Sequence, residues 1–232
     1  MKKFLSFILT ILLISMPIQG VSKDPKIEGD ALKRAYELHI PIACLIDDRP
    51  EQIGTGFPIS KNEVATAGHV SCDNPYTYET YPTLISLDHG KTWMEVPDDA
   101  QFTNGEYDFK IMILPGGVEF FKKPAKFREP VLGEEVSGFG LMGVADLHIA
   151  SKGYITYVAP DYYVATNIPY GGFSGSALVG EDGKVVGIVN WGVVDERLSA
   201  TTSAGLQGSL LADMYKSFLE FKKVYQADGK NE

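Results

Sequence analysis

The chain reads as an all-β fold closed by one C-terminal helix, and three observations predict it. Its apolar runs are short and rich in Val, Ile, Phe and Tyr, with clusters of Gly, Pro, Asn and Asp between them at short intervals. The spacers of about 20 residues or more that crossover helices would occupy are mostly missing, which favours a sandwich or barrel over βαβ units. Only one long segment keeps a helical period.

Taken in order, Asp30 to Leu38 reads as a short N-terminal helix. Strand-like runs follow at Ile40–Ile46 (which holds Pro41), Ile53–Ile59, Glu63–Ala67, Thr83–Leu87 and Phe109–Leu114. The stretch Pro115–Pro130, with Gly116-Gly117, three prolines and several charges, reads as a linker between halves. Beyond it come Glu135–Phe139, Gly153–Val158, Tyr162–Thr166, Ser176–Val179 and Lys184–Asn190. In Ser209–Tyr225, Leu210, Leu211, Met214, Phe218, Leu219 and Phe221 recur at three- and four-residue spacing, with Lys222 and Lys223 near the end, as a helix requires.

The first 22 of the 232 residues read as a signal peptide. Lys2 and Lys3 precede an apolar run, Phe4–Ile14, that Ser6 and Thr10 interrupt; Pro17 ends it, and Gly20-Val21-Ser22 offers small residues for cleavage. The run is shorter than the roughly 20 residues a membrane span needs, so a secreted or periplasmic protein with no stable membrane association is expected. Two halves are expected after the leader, 23–120 and 121–232. Losing the leader removes two lysines and no acid, taking the formal charge from −9 to about −11. That balance argues against a nucleic-acid partner, which would need clustered Lys and Arg.

Cys44 and Cys72 are the only cysteines. In an oxidising compartment a lone pair more often bridges than stays reduced, two buried thiols being the alternative. A bridge would close a loop of about 29 residues, worth about 3–4 kcal/mol in the chain-entropy picture. Neither cysteine has a Cys-x-x-Cys neighbour, so no zinc or other metal site and no cofactor is expected.

Acyl transfer by a serine needs a base within hydrogen-bond reach, an acid that fixes the base's tautomer, and donors for the oxyanion. One segment offers itself for each part. Ala65-Thr-Ala-Gly-His69-Val70 supplies a base at the end of a strand that follows Gly54-Thr-Gly-Phe57. Tyr107-Asp108-Phe109 supplies an acid just before an apolar strand, a position that Asp88, Asp98 and Asp99 do not share. Tyr170-Gly-Gly-Phe-Ser174-Gly-Ser-Ala-Leu178 supplies a nucleophile in a turn whose glycines let the amides of Gly172 and Ser174 face one oxygen. His39, His89 and His148 read as surface or core residues.

In this order the three segments resemble the chymotrypsin-like (trypsin-fold) serine peptidases, nearer the bacterial high-temperature-requirement and glutamyl-endopeptidase types than digestive trypsins. The resemblance runs from about Pro41 to the C-terminal helix. It implies two six-stranded antiparallel β-barrels, a serine endopeptidase acting on protein or peptide substrates, and the triad His69, Asp108 and Ser174. Val136-Ser-Gly-Phe-Gly140 resembles the opening strand of the second barrel, and Val186-Gly-Ile-Val-Asn-Trp-Gly192 the substrate-binding strand, which implies substrate contacts at Asn190, Trp191 and Gly192. An exposed strand edge can bind a peptide through main-chain hydrogen bonds.

Departures from the family narrow the reading. Lys110 stands two residues after the acid, where the family usually has a small residue. Phe173 replaces the aspartate that activated trypsins pair with a new N-terminus, so that activation is not implied. Val189 stands near the histidine of glutamyl endopeptidases, and no aspartate marks the base of the specificity pocket. A neutral or apolar P1 residue is expected, held by the residues before Ser174, by Trp191-Gly192 and by something near Ser199–Ser203. No peptide-binding domain of the kind that follows high-temperature-requirement proteases is expected after Glu232.

Other hydrolases fit less well. An α/β-hydrolase places its histidine after the nucleophile, and no histidine follows Ser174. Subtilisin-type enzymes need helices this sequence lacks. The rival from another class is a silent protease fold used for binding; its mark would be a missing triad residue, and none is missing.

Overall fold

In the computed structural model, which describes residues 26–74, 76–120, 123–142, 147–166, 171–195 and 200–228, the chain enters through α1 (Asp30–Leu38). The helix buries Ala35 and Leu38 and leaves the charged face outward. The leader expected at 1–22, Tyr170 and Ser199 lie outside the described residues.

The first half is one antiparallel sheet. Its strands are β1 (Ile40–Ile46), β2 (Arg49–Pro58), β3 (Glu63–Ala67), β4 (Thr83–Ile85), β5 (Met94–Val96), β6 (Gln101–Asn104) and β7 (Phe109–Ile113), in the spatial order β5-β4-β1-β2-β3-β7-β6. The second half repeats the scheme with β8 (Glu135–Met142), β9 (Leu147–Val158), β10 (Tyr162–Ala165), β11 (Ala177–Gly180), β12 (Val185–Ile188), β13 (Trp191–Asp195) and β14 (Ala200–Leu206), ordered β12-β11-β8-β9-β10-β14-β13. The segment 114–134 joins the halves, as expected of a linker, although Phe127 touches Val185 in a parallel bridge.

Each sheet has seven strands where six were expected, and the difference has a simple geometric origin. The two edge strands of each sheet are consecutive in the chain: β5 and β6 are linked by 97–100, β12 and β13 by Val189 and Asn190. In the second half one bent strand thus supplies both edges, whereas in the first a short helical turn, Asp98–Ala100, joins them. In the second half the bend is anchored on both sides, since Val189 bonds to Ser176 and Gly175 while the Asn190 amide donates to Ala204 O at 3.0 Å. Counting each such consecutive pair once gives six.

The largest apolar cluster lies between the halves. Phe57, Ile59, Ala65, Phe109 and Ile111 of the first sheet meet Phe139, Val179, Ile188 and Leu206 of the second, with Leu38 of α1 and Leu211 of α2 (Gly208–Asp228). The two sheets therefore share a core. The C-terminal helix begins one residue before the expected Ser209 and runs three past Tyr225. It returns to the first half, where Glu63 of β3, 2% exposed, accepts hydrogen bonds from Tyr215 (2.6 Å) and Lys222 (2.7 Å). Burial pushes the Glu63 carboxyl up, but Lys222, Tyr215 and Ser60 outweigh it and hold the group below its ordinary value.

Candidate active site

His69 and Asp108 are brought together by two turns on neighbouring strands. His69 sits in the turn leaving β3, Asp108 in the turn entering β7, and β3 and β7 pair directly with Ala67 opposite Phe109. The β6–β7 turn is shaped by Asn104, whose side-chain oxygen accepts from the amides of Glu106 and Tyr107. Asp108 then takes a left-handed conformation, φ 49°. Its Oδ2 lies 2.8 Å from His69 Nδ1, and its Oδ1 accepts the His69 amide at 2.7 Å. One carboxylate thereby fixes both the ring and the backbone of the histidine. Gly68 makes this approach feasible: its amide donates to Asp108 O at 2.8 Å, and a Cβ there would sit 3.0 Å from the Asp108 Oδ1.

Asp108 has a further partner. Asn190 Nδ2 donates to Asp108 Oδ2 at 2.9 Å and to the Asp108 carbonyl at 2.7 Å, while its Oδ1 accepts the Leu206 amide at 3.2 Å. Burial pushes the Asp108 carboxyl up, yet the bonds from His69 and Asn190 prevail and its pKa lies below the usual aspartate value. The acid is held ionised, with the imidazole Nδ1–H in place as its donor.

Ser174 arrives from the second half on the loop between β10 and β11. Thr55 of β2 pins that loop twice, its amide donating to Ser174 O (2.8 Å) and its hydroxyl to Gly172 O (2.6 Å). Gly175, at φ 84°, donates to Val189 O at 2.7 Å, and a Cβ on it would overlap the Thr55 carbonyl and the Thr66 hydroxyl, so glycine is required there. Gly54 separates the two catalytic loops: a Cβ on it would lie 2.7 Å from the Val70 side chain and 3.1 Å from Ser174 O. Gly172 has φ 97°, and neither its amide nor that of Ser174 donates to any described residue. Among the described residues no hydrogen bond joins the Ser174 hydroxyl to the His69 ring, a contact that in such sites often tightens only when substrate binds.

Trp191 (46% exposed) and Gly192 lie on β13, an edge of the second sheet. The substrate contact expected of Asn190 is one of the main chain; its side chain is 3% exposed and turned inward to Asp108, where the strand bends. Phe173 is fully buried against Gly140. The rivals of Asp108 have other duties: Asp88 caps a turn through Ser86 and Thr92, and Asp98 begins a single helical turn. His39 and His89 stack on each other, away from the site, in a contact that includes Tyr36 and Phe139.

Cys44 and Cys72 form a disulfide with Cα atoms 5.4 Å apart, tying β1 to the segment three residues beyond His69. Sequence reasoning missed Thr55, and it placed Asn190 on the substrate strand without its side-chain bonds to Asp108. Thr55 stands between two glycines that marked its segment, but nothing in the local sequence of Asn190 pointed to a carboxylate 82 positions away.

A family model described as a trypsin-like peptidase domain matches residues 54–188. Among solved structures, the inactive form of Rv3671c from M. tuberculosis H37Rv, a serine-to-alanine mutant, is similar with a TM-score of 0.62 at 19% identity, over 83% of this chain and 95% of that one. The active form of the Rv3671c protease from M. tuberculosis is similar with a TM-score of 0.62 at 18% identity, over 82% and 91%. At such identities the likeness is one of fold. No curated protein matches the sequence.

Proposed function

This chain belongs to the trypsin-like peptidase family, and from that premise we propose that it is a serine endopeptidase working through His69, Asp108 and Ser174. Family membership implies peptide-bond hydrolysis in a protein or peptide. What supports the serine mechanism is the His69–Asp108 pair at 2.8 Å, with both imidazole tautomer and backbone fixed by one carboxylate.

Ser174 Oγ attacks the scissile carbonyl and passes its proton to His69 Nε2, while Asp108 stabilises the imidazolium through Nδ1–H. The oxyanion is received by the amides of Gly172 and Ser174. His69 then protonates the leaving amine, and water hydrolyses the acyl-enzyme by the reverse sequence. Peptide substrate adds to the edge strand β13 at Trp191 and Gly192, and a neutral or apolar P1 side chain suits the absence of an aspartate from the sequence of the pocket walls. The leader at 1–22, together with the disulfide, supports secretion or export to the periplasm.

Cleavage of a denatured protein such as casein tests the reading. Wild type should cleave it, and His69→Ala should lose at least about 10³-fold in kcat while its melting temperature stays within a few degrees, because the His69 ring is half exposed. Equal cleavage by wild type and His69→Ala would remove the histidine from the mechanism.

A further inference from the structure

Lys110 is a buried cation immediately behind the His–Asp pair, and the mechanism above does not use it. It lies on β7 two residues after Asp108, paired across the sheet with Thr66 of β3 and Thr103 of β6. Only 5% of it is exposed. Its Nζ donates to the carbonyl of Val70 at 2.7 Å, and Val70 is the residue after His69. Placing an ammonium out of water costs several kcal/mol unless groups around it answer the charge, and nothing in barrel packing requires one here. The carboxylates facing it are Asp73 from the loop after His69, Asp98 from the turn before β6, and Asp108 itself. Asp73 and Asp98 line the same polar cleft as Lys110, with Gly68, Thr80 and Thr83.

We propose that Lys110 is a positioning residue for the catalytic histidine: it clamps the Val70 carbonyl, so that the strand bearing Asp108 also holds the turn bearing His69, and it sets a fixed positive charge behind the pair. The inference rests on reading His69 as the general base. Two consequences follow from the geometry. Without the clamp, the His69 turn keeps its bonds to Asp108 but loses its tether on the far side, so near-attack alignment suffers more than substrate binding. Without the charge, a protonated His69 is opposed by one cation fewer, while Asp108, Asp73 and Asp98 continue to favour it. Burial pulls the Lys110 ammonium below its ordinary value, and the three carboxylates pull it back up.

The test compares wild type, Lys110→Met, Lys110→Gln and Lys110→Arg over the pH range of peptide hydrolysis, each checked for folding by its melting curve. Lys110→Met should lower kcat by roughly 10-fold or more with KM within about twofold, as expected for an alignment loss. Its acid limb should move to higher pH by roughly half a unit or more, the scale of one nearby charge at intermediate dielectric. Lys110→Arg, which keeps donor and charge, should recover the pH profile, and Lys110→Gln covers the case in which the Met variant does not fold. An unmoved acid limb in the folded uncharged variants, or an unchanged kcat, overturns the proposal. In a Ser174→Ala background the His69 imidazole resonances should likewise titrate at higher pH with Lys110→Met. That readout needs no activity, so a chain inactive as wild type would sink the protease reading while still deciding the role of Lys110.

Discussion

At the scale of single residues, the acid of the proposed triad is defined by what surrounds it more than by its own position. Asp108 receives His69 from one side and Asn190 from the other, and the backbone amide of His69 completes the set. A hydrogen bond to a charged group is worth about 1.5–3 kcal/mol. Asn190→Ala should therefore lower kcat by about 10- to 150-fold, with KM within about twofold, when steady-state hydrolysis is compared with wild type. A large rise in KM with kcat unchanged would return Asn190 to the substrate site, where the sequence alone had put it. The segments that carry the proposed triad were legible because close backbone approach imposes local rules. Gly68 admits the close approach of Asp108, and Gly175 adopts a left-handed conformation that Cβ would block. Asn190 obeys no such local rule; only the bend of the strand turns it inward. Lys110 was legible as a departure, but its buried bond to Val70 was not.

At the scale of elements, the most consequential contact is between the end of the chain and its beginning. The helix α2 leaves the second sheet and is fastened to the first through Glu63, Tyr215 and Lys222. Because the Glu63 carboxyl is held below its ordinary value of 4.5 in the fold, its contribution is complete above that value and is lost as pH falls through the folded one. Glu63→Gln should thus cost about 2 kcal/mol near neutral pH. The variant should also lose less stability than wild type on acidification from about pH 5 to 3, as measured by denaturant unfolding. Parallel losses for the two proteins would remove the clamp from the account. Most strands could be read from sequence, β1 and β3 to the residue. Of those overlooked, β6 and β14 carry polar or small side chains such as Gln101, Thr103, Thr201 and Ser203, so alternation gave little signal, and β5 is only three residues long. Lys184–Asn190 read as one run, yet it ends one edge of the sheet and leads into the other.

At the scale of the whole molecule, two sheets built on one plan share a core and contribute the two halves of the proposed site: His69 and Asp108 from the first, Ser174 and Asn190 from the second. Thr55, bonded to both Gly172 and Ser174, is the point where the halves register. The disulfide secures the first half beside His69, across a separation of 28 residues. Replacing Cys44 and Cys72 together by Ser should lower stability by about 3–4 kcal/mol, read by thermal or denaturant unfolding, and reductant should then no longer affect the protein. An equal melting temperature for wild type and the double variant would show the bridge to be idle. The central claim is that His69 and Asp108 activate Ser174, and covalent capture tests it most directly. A fluorophosphonate should label wild-type protein once, at Ser174, as located by mass spectrometry of the digested adduct. It should leave Ser174→Ala unlabelled and His69→Ala labelled far more slowly. Labelling of Ser174→Ala at the wild-type rate, or no labelling of folded wild type, would contradict it.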